Sequence, residues 1–449
     1  MNKIIPREYQ QSAIDAGLSF FNSPRTQRPQ LLVAPTAAGK SIMVAMIAAG
    51  LQGRVLVLQP SVELLQQNFE KYRCVSDGAA IFSASAKSKE IGRVTFATIG
   101  SIVNVPHLFE TFNYLIIDEA HLYPPSNDSM FGKFRKANPT LKILGLTATP
   151  FRLKSYMSGS KLIMMHSGGN IYTGGYCKII QIQEIADNYW CPLRYVMDTG
   201  SQSVLKVNTS GAEYTEESVM QYGQKMEGKI IEWLEKCDGF SKIVFVPTID
   251  QANALAKITP KSASVSSKTP KLDRERILEM FKAGKIETVF NVNLLGVGFD
   301  FPGLRMVFDA VPTMSLARYY QKIGRLTRIH PGKKNAGVVD FAGNYRRFGR
   351  IEDLKIEQVR GSYHVFSKGR QLTGVLLDAE SYNDVPTEHL PDPLFCDFAI
   401  TFGVHKGKKI SEVPEEYLIW ACDNVKNNTE TLKNIKLYLN KQINQYAGR

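Results

Sequence analysis

Two short runs carry residue types and spacings suited to handling a phosphate ester. In the first, Ala34-Pro35-Thr36-Ala37-Ala38-Gly39-Lys40-Ser41 follows the apolar run Leu31 to Ala34 and precedes a helical stretch from Ser41 to Leu51. A strand, a glycine-containing turn and a helix start in that order set backbone N–H groups and the positive end of a helix around an anion. Lys40 can then reach the β and γ oxygens of a nucleotide, and the Ser41 hydroxyl can ligate Mg²⁺. The first position of the pattern is Ala34, where glycine is usual. In the second run, Asp118-Glu119-Ala120-His121 follows the apolar stretch Tyr114 to Ile117. Its two carboxylates therefore emerge at the C-terminal end of a strand, where open α/β sheets bind ligands. Asp118 is placed to hold Mg²⁺ through water, and Glu119 to orient and deprotonate an attacking water. Alone, such a tetrapeptide reads equally as a solvated helix start; its position at a strand end gives it weight.

The elements that must position these residues alternate between strand and helix. Val55 to Leu58 leads through Pro60-Ser61 into a helix from Val62 to Tyr72, and Val94 to Ala97 and Ile143 to Leu146 read as further strands. The alternation restarts after residue 240: strands at Ile243 to Val246, Thr288 to Val292, Met306 to Ala310 and Gly337 to Phe341 are interleaved with helices at Asp250 to Lys257 and Arg274 to Lys282. Alternation of this kind implies a parallel sheet covered on both faces. The expected fold class is α/β, with two tandem parallel-sheet lobes and a small C-terminal accessory domain. The expected divisions are 1–175 for lobe 1, 176–360 for lobe 2, 361–394 for a linker marked by Pro386, Pro391 and Pro393, and 395–449 for the accessory module. Ser155 to Gly175, rich in Gly and Ser, reads as a loop or hinge, with the body of lobe 2 expected to begin near Pro192.

A chain of 449 residues exceeds what one core usually supports, which favours this division. The formal charge of +13 favours a polyanionic partner. The six cysteines are far apart with no CxxC pair, so neither a zinc site nor a disulfide framework is suggested. Met1 to Gln10 is polar, and no later stretch reaches the roughly 18 apolar residues of a membrane span. A cytoplasmic protein with no membrane partner is the expectation.

Together these runs resemble a DEAH-type superfamily 2 helicase from about residue 5 to residue 360. The resemblance implies two RecA-like lobes, ATP and Mg²⁺ as cofactors, and a divided site. Arg7-Glu8-Tyr9-Gln10 resembles the adenine-recognising motif of such proteins, with Arg7 and Gln10 at the base and Pro35, Thr36, Ala37, Ala38, Gly39, Lys40 and Ser41 at the phosphates. Thr147-Ala148-Thr149-Pro150 resembles the motif that couples the ATP site to the second lobe, through the hydroxyls of Thr147 and Thr149. In lobe 2, Gln321 to Arg328 resembles the arginine-finger motif, with Gln321 in a coupling position. Arg325 and Arg328, three apart, share one helix face and can both stabilise charge on a γ-phosphate. The run Asn293 to Asp300 resembles the preceding motif, with Gly298 near the nucleotide and Asp300 at the ribose; Gly296 stands where the family usually has Thr or Ser.

Motors of this type hold the phosphodiester backbone through amides and small hydroxyls at helix starts. Pro60 and Ser61, Thr98, Gly100 and Ser101, and Thr248 supply that chemistry; the alternative for each hydroxyl is an ordinary N-cap. Lys333-Lys334 and Arg346, Arg347 and Arg350 extend an anion-binding surface or form a solvated charge run. The C-terminal run Phe402 to Trp420 resembles a small uncharacterised module of phage and bacterial nucleic-acid proteins, in which Tyr417 and Trp420 either stack on bases or belong to a core.

The resemblance implies an ATP-hydrolysing DNA helicase or translocase, a monomer on single-stranded, duplex or branched DNA, serving replication, recombination or repair. An RNA helicase, an ATP-gated nucleic-acid clamp and the motor subunit of a restriction or defence complex are the alternatives.

Overall fold

The computed structural model describes residues 4–377, apart from 157–158, 168–169, 210–212 and 293–299, and in the C-terminal part residues 400–425, 431, 432 and 435. The chain opens with α1 (Glu8–Asn22), β1 (Gln30–Val33), α2 (Lys40–Gly50), β2 (Val55–Gln59) and α3 (Val62–Arg73). There follow β3 (Ala79–Ser83), β4 (Ser88–Lys89), β5 (Val94–Thr98), α4 (Ile99–Ile102), β6 (Tyr114–Ile117), α5 (Met130–Ala137) and β7 (Lys142–Thr147). A hairpin, β8 (Phe151–Tyr156) and β9 (Gly159–Met164), leads to β10 (Tyr176–Ile179) and α6 (Gln183–Tyr189). The first sheet runs β10-β1-β7-β6-β2-β5-β3-β4, parallel throughout except for the β3–β4 pair. Its central strands are buried on both faces, which is why they read as unbroken apolar runs rather than alternating ones.

The second sheet is built from β11 (Leu193–Met197), α7 (Glu216–Lys236), β12 (Lys242–Phe245), α8 (Ile249–Ile258), β13 (Ser262–Val265), α9 (Lys271–Lys282), β14 (Thr288–Asn291), β15 (Met306–Asp309), α10 (Leu316–Ile323) and β16 (Ala336–Asp340). Its order is β11-β16-β15-β12-β14-β13, and every pairing is parallel. Two RecA-like parallel-sheet lobes are thus present. Each starts a central strand with a buried lysine that caps a helix C-terminus: Lys142 donates to the carbonyls of Phe21 and Ser23, and Lys242 to those of Cys237 and Phe240. The last carbonyls of a helix have no partner within it, so an ammonium there satisfies groups that burial would otherwise orphan.

Beyond lobe 2 come α11 (Asn344–Phe348), β17 (Leu354–Val359), β18 (Ser362–Ser367), β19 (Arg370–Gln371), β20 (Leu376–Leu377) and α12 (Glu415–Asn424). The start of the expected linker, residues 362–377, therefore carries the three strands β18, β19 and β20; β17, β18 and β19 form a small sheet, and β20 joins β9. Residues 378–399, with Pro386, Pro391 and Pro393, lie outside the described residues. The loop expected from Ser155 to Gly175 is in part the hairpin strand β9, because Leu162 and Met164 alternate into the core while β8 and β20 pair along its edges. The C-terminal region packs separately, with Ile400, Ile410, Val413, Leu418 and Ala421 in a core of its own. Trp420 stays half exposed, and Tyr417 packs edge-on against His405. Among the described residues no helix is long and apolar enough to cross a membrane.

Candidate active site between the lobes

The loop from Ala34 to Gly39 leaves the C-terminal end of β1, and α2 begins at Lys40. Gly39 has φ +82, and a Cβ built on it would lie 2.4 Å from Gln10 Nε2, so both the backbone turn and the close approach require glycine. The Gln10 amide is buried and committed at both ends: Nε2 donates to the Ala38 carbonyl at 2.8 Å, and Oε1 accepts from the Arg7 N–H at 2.9 Å. It ties α1 to the loop. Arg7 lies 4.0 Å over the ring of Tyr189, which also meets the Tyr9 ring, so the open end of the loop is walled by a cation and aromatic faces.

Asp118 and Glu119 follow β6, next to β7 in the sheet. Asp118 is buried, accepting from Asn68 Nδ2 at 2.8 Å and from the Glu119 N–H at 2.9 Å. Burial, followed by the neighbouring Glu119 charge, raises its carboxyl to about 6 against the pull of Lys40 and the two hydrogen bonds. Glu119 has φ +46, a left-handed conformation costing roughly 1–2 kcal/mol outside glycine, which the surrounding contacts must offset. Its carboxylate sits 3.2 Å from Lys40 Nζ and 3.4 Å from His121 Nδ1. Burial pushes Glu119 upward, but the Lys40 charge, the adjacent His121 imidazole, the Lys40 hydrogen bond and the Arg325 charge outweigh it and hold the carboxyl below its usual range.

His121 joins three motifs. Its Nδ1 lies 3.0 Å from Thr147 Oγ1 and its Nε2 lies 2.7 Å from the Gln321 amide nitrogen of lobe 2. Burial lowers the imidazole to about 4, so it is neutral at physiological pH. With Nε2 accepting from Gln321, the hydrogen-bond network assigns the proton to Nδ1. The expected coupling residues Thr147 and Gln321 therefore meet at His121, a residue the sequence reading passed over although it completes the tetrapeptide. Thr147 Oγ1 also accepts the Thr149 N–H at 3.0 Å, while Thr149 Oγ1 is buried with no hydrogen-bond partner among the described residues.

Lobe 2 closes over the loop at Thr36. Tyr320 Oη accepts the Thr36 N–H at 3.1 Å and lies 3.3 Å from its Oγ1, and the Trp190 indole donates to the Thr36 carbonyl at 3.0 Å. Gly324 packs so closely that a Cβ there would stand 2.6 Å from Thr36 Oγ1. Neither Tyr320 nor Trp190 was expected at the site, since nothing local in the sequence marks them.

Arg325 and Arg328 do not lie on an α-helix, as their spacing suggested. Gly324–Thr327 is a 3₁₀ turn with Arg328 at its end, and residues three apart eclipse in that geometry, so both arginines still reach the cleft. Arg325 is buried, and burial together with the Arg328 charge lowers it to about 9, leaving it a cation at neutral pH. Arg328 Nε is 3.0 Å from Asp300 Oδ1, and Asp300 Oδ2 is 3.5 Å from Gln67 of α3. Gly298 and Gly296 lie outside the described residues.

Two basic clusters depart from expectation. Lys333 is not a surface cation: it is buried, and its ammonium donates to the carbonyls of Pro302, Leu326 and Arg328, with burial lowering it to about 8. It pins the backbone of the arginine turn at Leu326 and at Arg328. Arg347 is likewise buried, donating to the Thr313 carbonyl and to Tyr214. The expected strand contacts stand at helix starts along the C-terminal edges of both sheets. The Ser61 and Thr248 hydroxyls cap α3 and α8 by accepting from Leu64 and Gln251, and the Thr98 and Ser101 hydroxyls bond each other, with Ser101 accepting the Ala84 N–H. Pro60 precedes the first cap, and Gly100 is exposed with open space where a Cβ would stand.

The result is one cleft of about 410 Å³ walled by Lys40, Asp118 and Glu119 from one lobe and Asp300, Arg325 and Arg328 from the other. A phosphate-binding loop facing a pair of arginines across two RecA-like sheets defines a P-loop NTPase of the helicase class. Residues 3–152 match the family model of the type III restriction enzyme res subunit, and residues 227–330 match that of the helicase conserved C-terminal domain. The chain is a superfamily 2 helicase/translocase carrying both of these domains. It is 23% identical over 328 residues to a 51.5 kDa protein of a Lactococcus phage, covering 71% of this chain and 67% of the relative. To the putative ATP-dependent helicase IRC3 of Saccharomyces cerevisiae it is 25% identical over 373 residues, covering 75% of this chain and 51% of that protein, so it spans about half the yeast relative's length. The fold matches the ATP-dependent type ISP restriction-modification enzyme LlaBIII bound to DNA with a TM-score of 0.57 at 17% identity, covering 76% of this chain and 28% of that one.

Proposed function

We propose that this protein is an ATP-driven motor that moves along or remodels DNA. One observation carries the reading: the lobe 1 residues suited to a nucleotide and the lobe 2 arginines line one cleft, joined by the hydrogen bond from Gln321 to His121. A Mg²⁺-nucleotide fits the residues present, since the Lys40 ammonium, the Asp118 carboxylate and the Ser41 hydroxyl, a cation for phosphate and two hard oxygen donors for Mg²⁺, line one cleft. When bound, Mg²⁺ neutralises phosphate charge and orients the γ-phosphoryl group.

The chain's own residues divide the remaining work. Lys40 leaves Glu119 for the β and γ oxygens, and Glu119, freed from that ion pair, orients and deprotonates water. Arg325, with Arg328 beside it, stabilises charge developing on the transferred group; buried and pinned by Lys333 through its turn, it needs little reorganisation to do so. Arg7 and Tyr189 form the base end, Gln10 holds the phosphate loop against α1 beside them rather than facing the base, and Asp300 forms the ribose side. The His121–Gln321 contact changes when the γ-phosphate leaves, and the lobes shift.

Pro60, Ser61, Thr98, Gly100, Ser101 and Thr248 would hold the strand backbone without reading its sequence. The likeness to an enzyme solved on DNA and the match to a restriction-type subunit support DNA as the substrate. Lys40→Ala, Glu119→Gln and Arg325→Ala should each lower DNA-stimulated ATP hydrolysis by at least about 100-fold. Turnover like the wild type's in either of the first two variants sinks the assignment. Stimulation measured with single-stranded, duplex and branched DNA and with RNA decides the substrate; stimulation by RNA alone would replace DNA.

A further inference from the structure

The hairpin of β8 and β9 leaves lobe 1 directly after Pro150, and nothing in the nucleotide site uses its outer half. Lys154 and Lys161 face each other across the two strands in register. Like charges directly opposite destabilise a strand pair, and neither lysine forms an ion pair among the described residues. Both ammonium groups lie near one ring: Lys154 Nζ is 5.6 Å and Lys161 Nζ 5.8 Å from the centroid of Tyr156, which is 41% exposed. Residues 154 and 156 point to the same face because side chains two apart in a strand do.

The surrounding sequence is as one-sided. From Ser129 to Gln183 there are eight Lys and Arg residues and no Asp or Glu. Two of these cations are spent internally: Lys142 on the end of α1, and Arg152 on the carbonyls of Ala120 and Tyr123. Lys133 and Lys136, on α5, remain exposed on the same carboxylate-free stretch. An exposed aromatic ring beside two cations without carboxylate partners matches a nucleotide unit of a single strand, which presents a base to stack and phosphates next to it.

We propose that Tyr156, Lys154 and Lys161 form a contact site for a single nucleic-acid strand, with an unpaired base stacked on Tyr156 and the flanking phosphates on the two lysines. The inference rests on the motor reading, and it adds a route from strand to nucleotide. The hairpin grows out of the Thr147 to Pro150 segment, and its root residue Arg152 holds the carbonyl of Ala120, next to Glu119. A strand that shifts the hairpin therefore pulls on the turn bearing the proposed base.

The test is fluorescence anisotropy of a labelled mixed-sequence DNA strand with the full-length, nucleotide-free protein across a salt series. Tyr156→Ala should weaken binding by on the order of 10-fold, with Tyr156→Trp restoring it. Lys154→Ala/Lys161→Ala should lower the slope of log affinity against log salt by about 1.4, the release expected for two single-strand phosphates. An unchanged thermal midpoint confirms that each variant folds. If the wild type binds the strand and Tyr156→Ala and the double lysine variant bind it equally well, the site is overturned while the motor reading stands. A Tyr156→Ala loss equal on blunt duplex and on single strand also overturns it, because a paired base cannot stack there. Failure of the wild type to bind any nucleic acid would instead remove the motor reading on which the site depends.

Discussion

Asp118→Asn should stabilise this protein while abolishing its proposed chemistry. Asp118 is 3% exposed, and its carboxyl is moved from 3.8 to about 6, first by burial and then by the adjacent Glu119 charge. A group that binds its proton more tightly folded than unfolded loses stability as pH rises through that interval. The cost of ionising Asp118 is therefore absent below pH 3.8, grows toward pH 6 and is complete above it. Two pH units correspond to roughly 3 kcal/mol. Asparagine carries no charge but offers one oxygen where Asp118 accepts from both Asn68 and the Glu119 N–H, so one hydrogen bond worth about 1 kcal/mol is lost. The expected net gain is about 1–2 kcal/mol at pH 7.5, shrinking toward zero or reversing near pH 4. Urea denaturation of both proteins at pH 7.5 and pH 4.5 measures this, and adding Mg²⁺ with ATP should raise the wild-type midpoint but not that of the variant. A variant less stable than the wild type at pH 7.5, or a gain equal at both pH values, would refute the electrostatic account of this site.

Gln321→Ala removes the contact with His121 and should lower stimulated kcat by roughly 10- to 100-fold with KM for ATP nearly unchanged, because it acts on coupling rather than on nucleotide grip; a loss confined to KM contradicts that role. Tyr320→Phe keeps the buried ring but strands the Thr36 N–H, and should cost about 1–3 kcal/mol in denaturant titrations; an unchanged midpoint would mean that the N–H finds another partner. Lys333, lowered to about 8, is charged below that pH and loses its proton as pH rises through it, so wild-type kcat should decline between about pH 8 and pH 9. Lys333→Met should give a lower and flatter profile, and a wild-type profile that stays level to pH 9 would show that the ammonium does not hold the arginine turn.

Much of the site was legible because its chemistry is local. Gly39 and Lys40 sit at a strand–turn–helix junction whose glycine the backbone demands, and Asp118 and Glu119 end an apolar run that can only be a buried strand. Strand and helix alternation likewise announced two lobes, since parallel strands covered on both faces must be apolar throughout. Spacing misled where it implied an α-helix for Arg325 and Arg328, because one 3₁₀ turn and a helix place residues three apart on nearly the same face.

Only the tertiary structure decided which polar groups meet. Lys333, Lys334, Arg346 and Arg347 look alike as neighbours in a basic sequence, yet Lys333 and Arg347 are buried because carbonyls at Pro302 and Thr313, more than thirty positions away, converge on them. Gly and Ser from 155 to 175 suggested a loop, and pairing with β20, more than two hundred residues on, is part of what makes β9 a strand. His121 and Gln321 are two hundred positions apart, and Thr36 is held by Trp190 and Tyr320 from outside its own sheet. By itself the sequence determined the two lobes, the phosphate loop and the carboxylate pair, since each follows from the needs of a few consecutive residues. The joining of the half-sites depended on the packing of one lobe against the other, which sets the hydrogen bonds at Thr36 and His121 and appears in no local pattern.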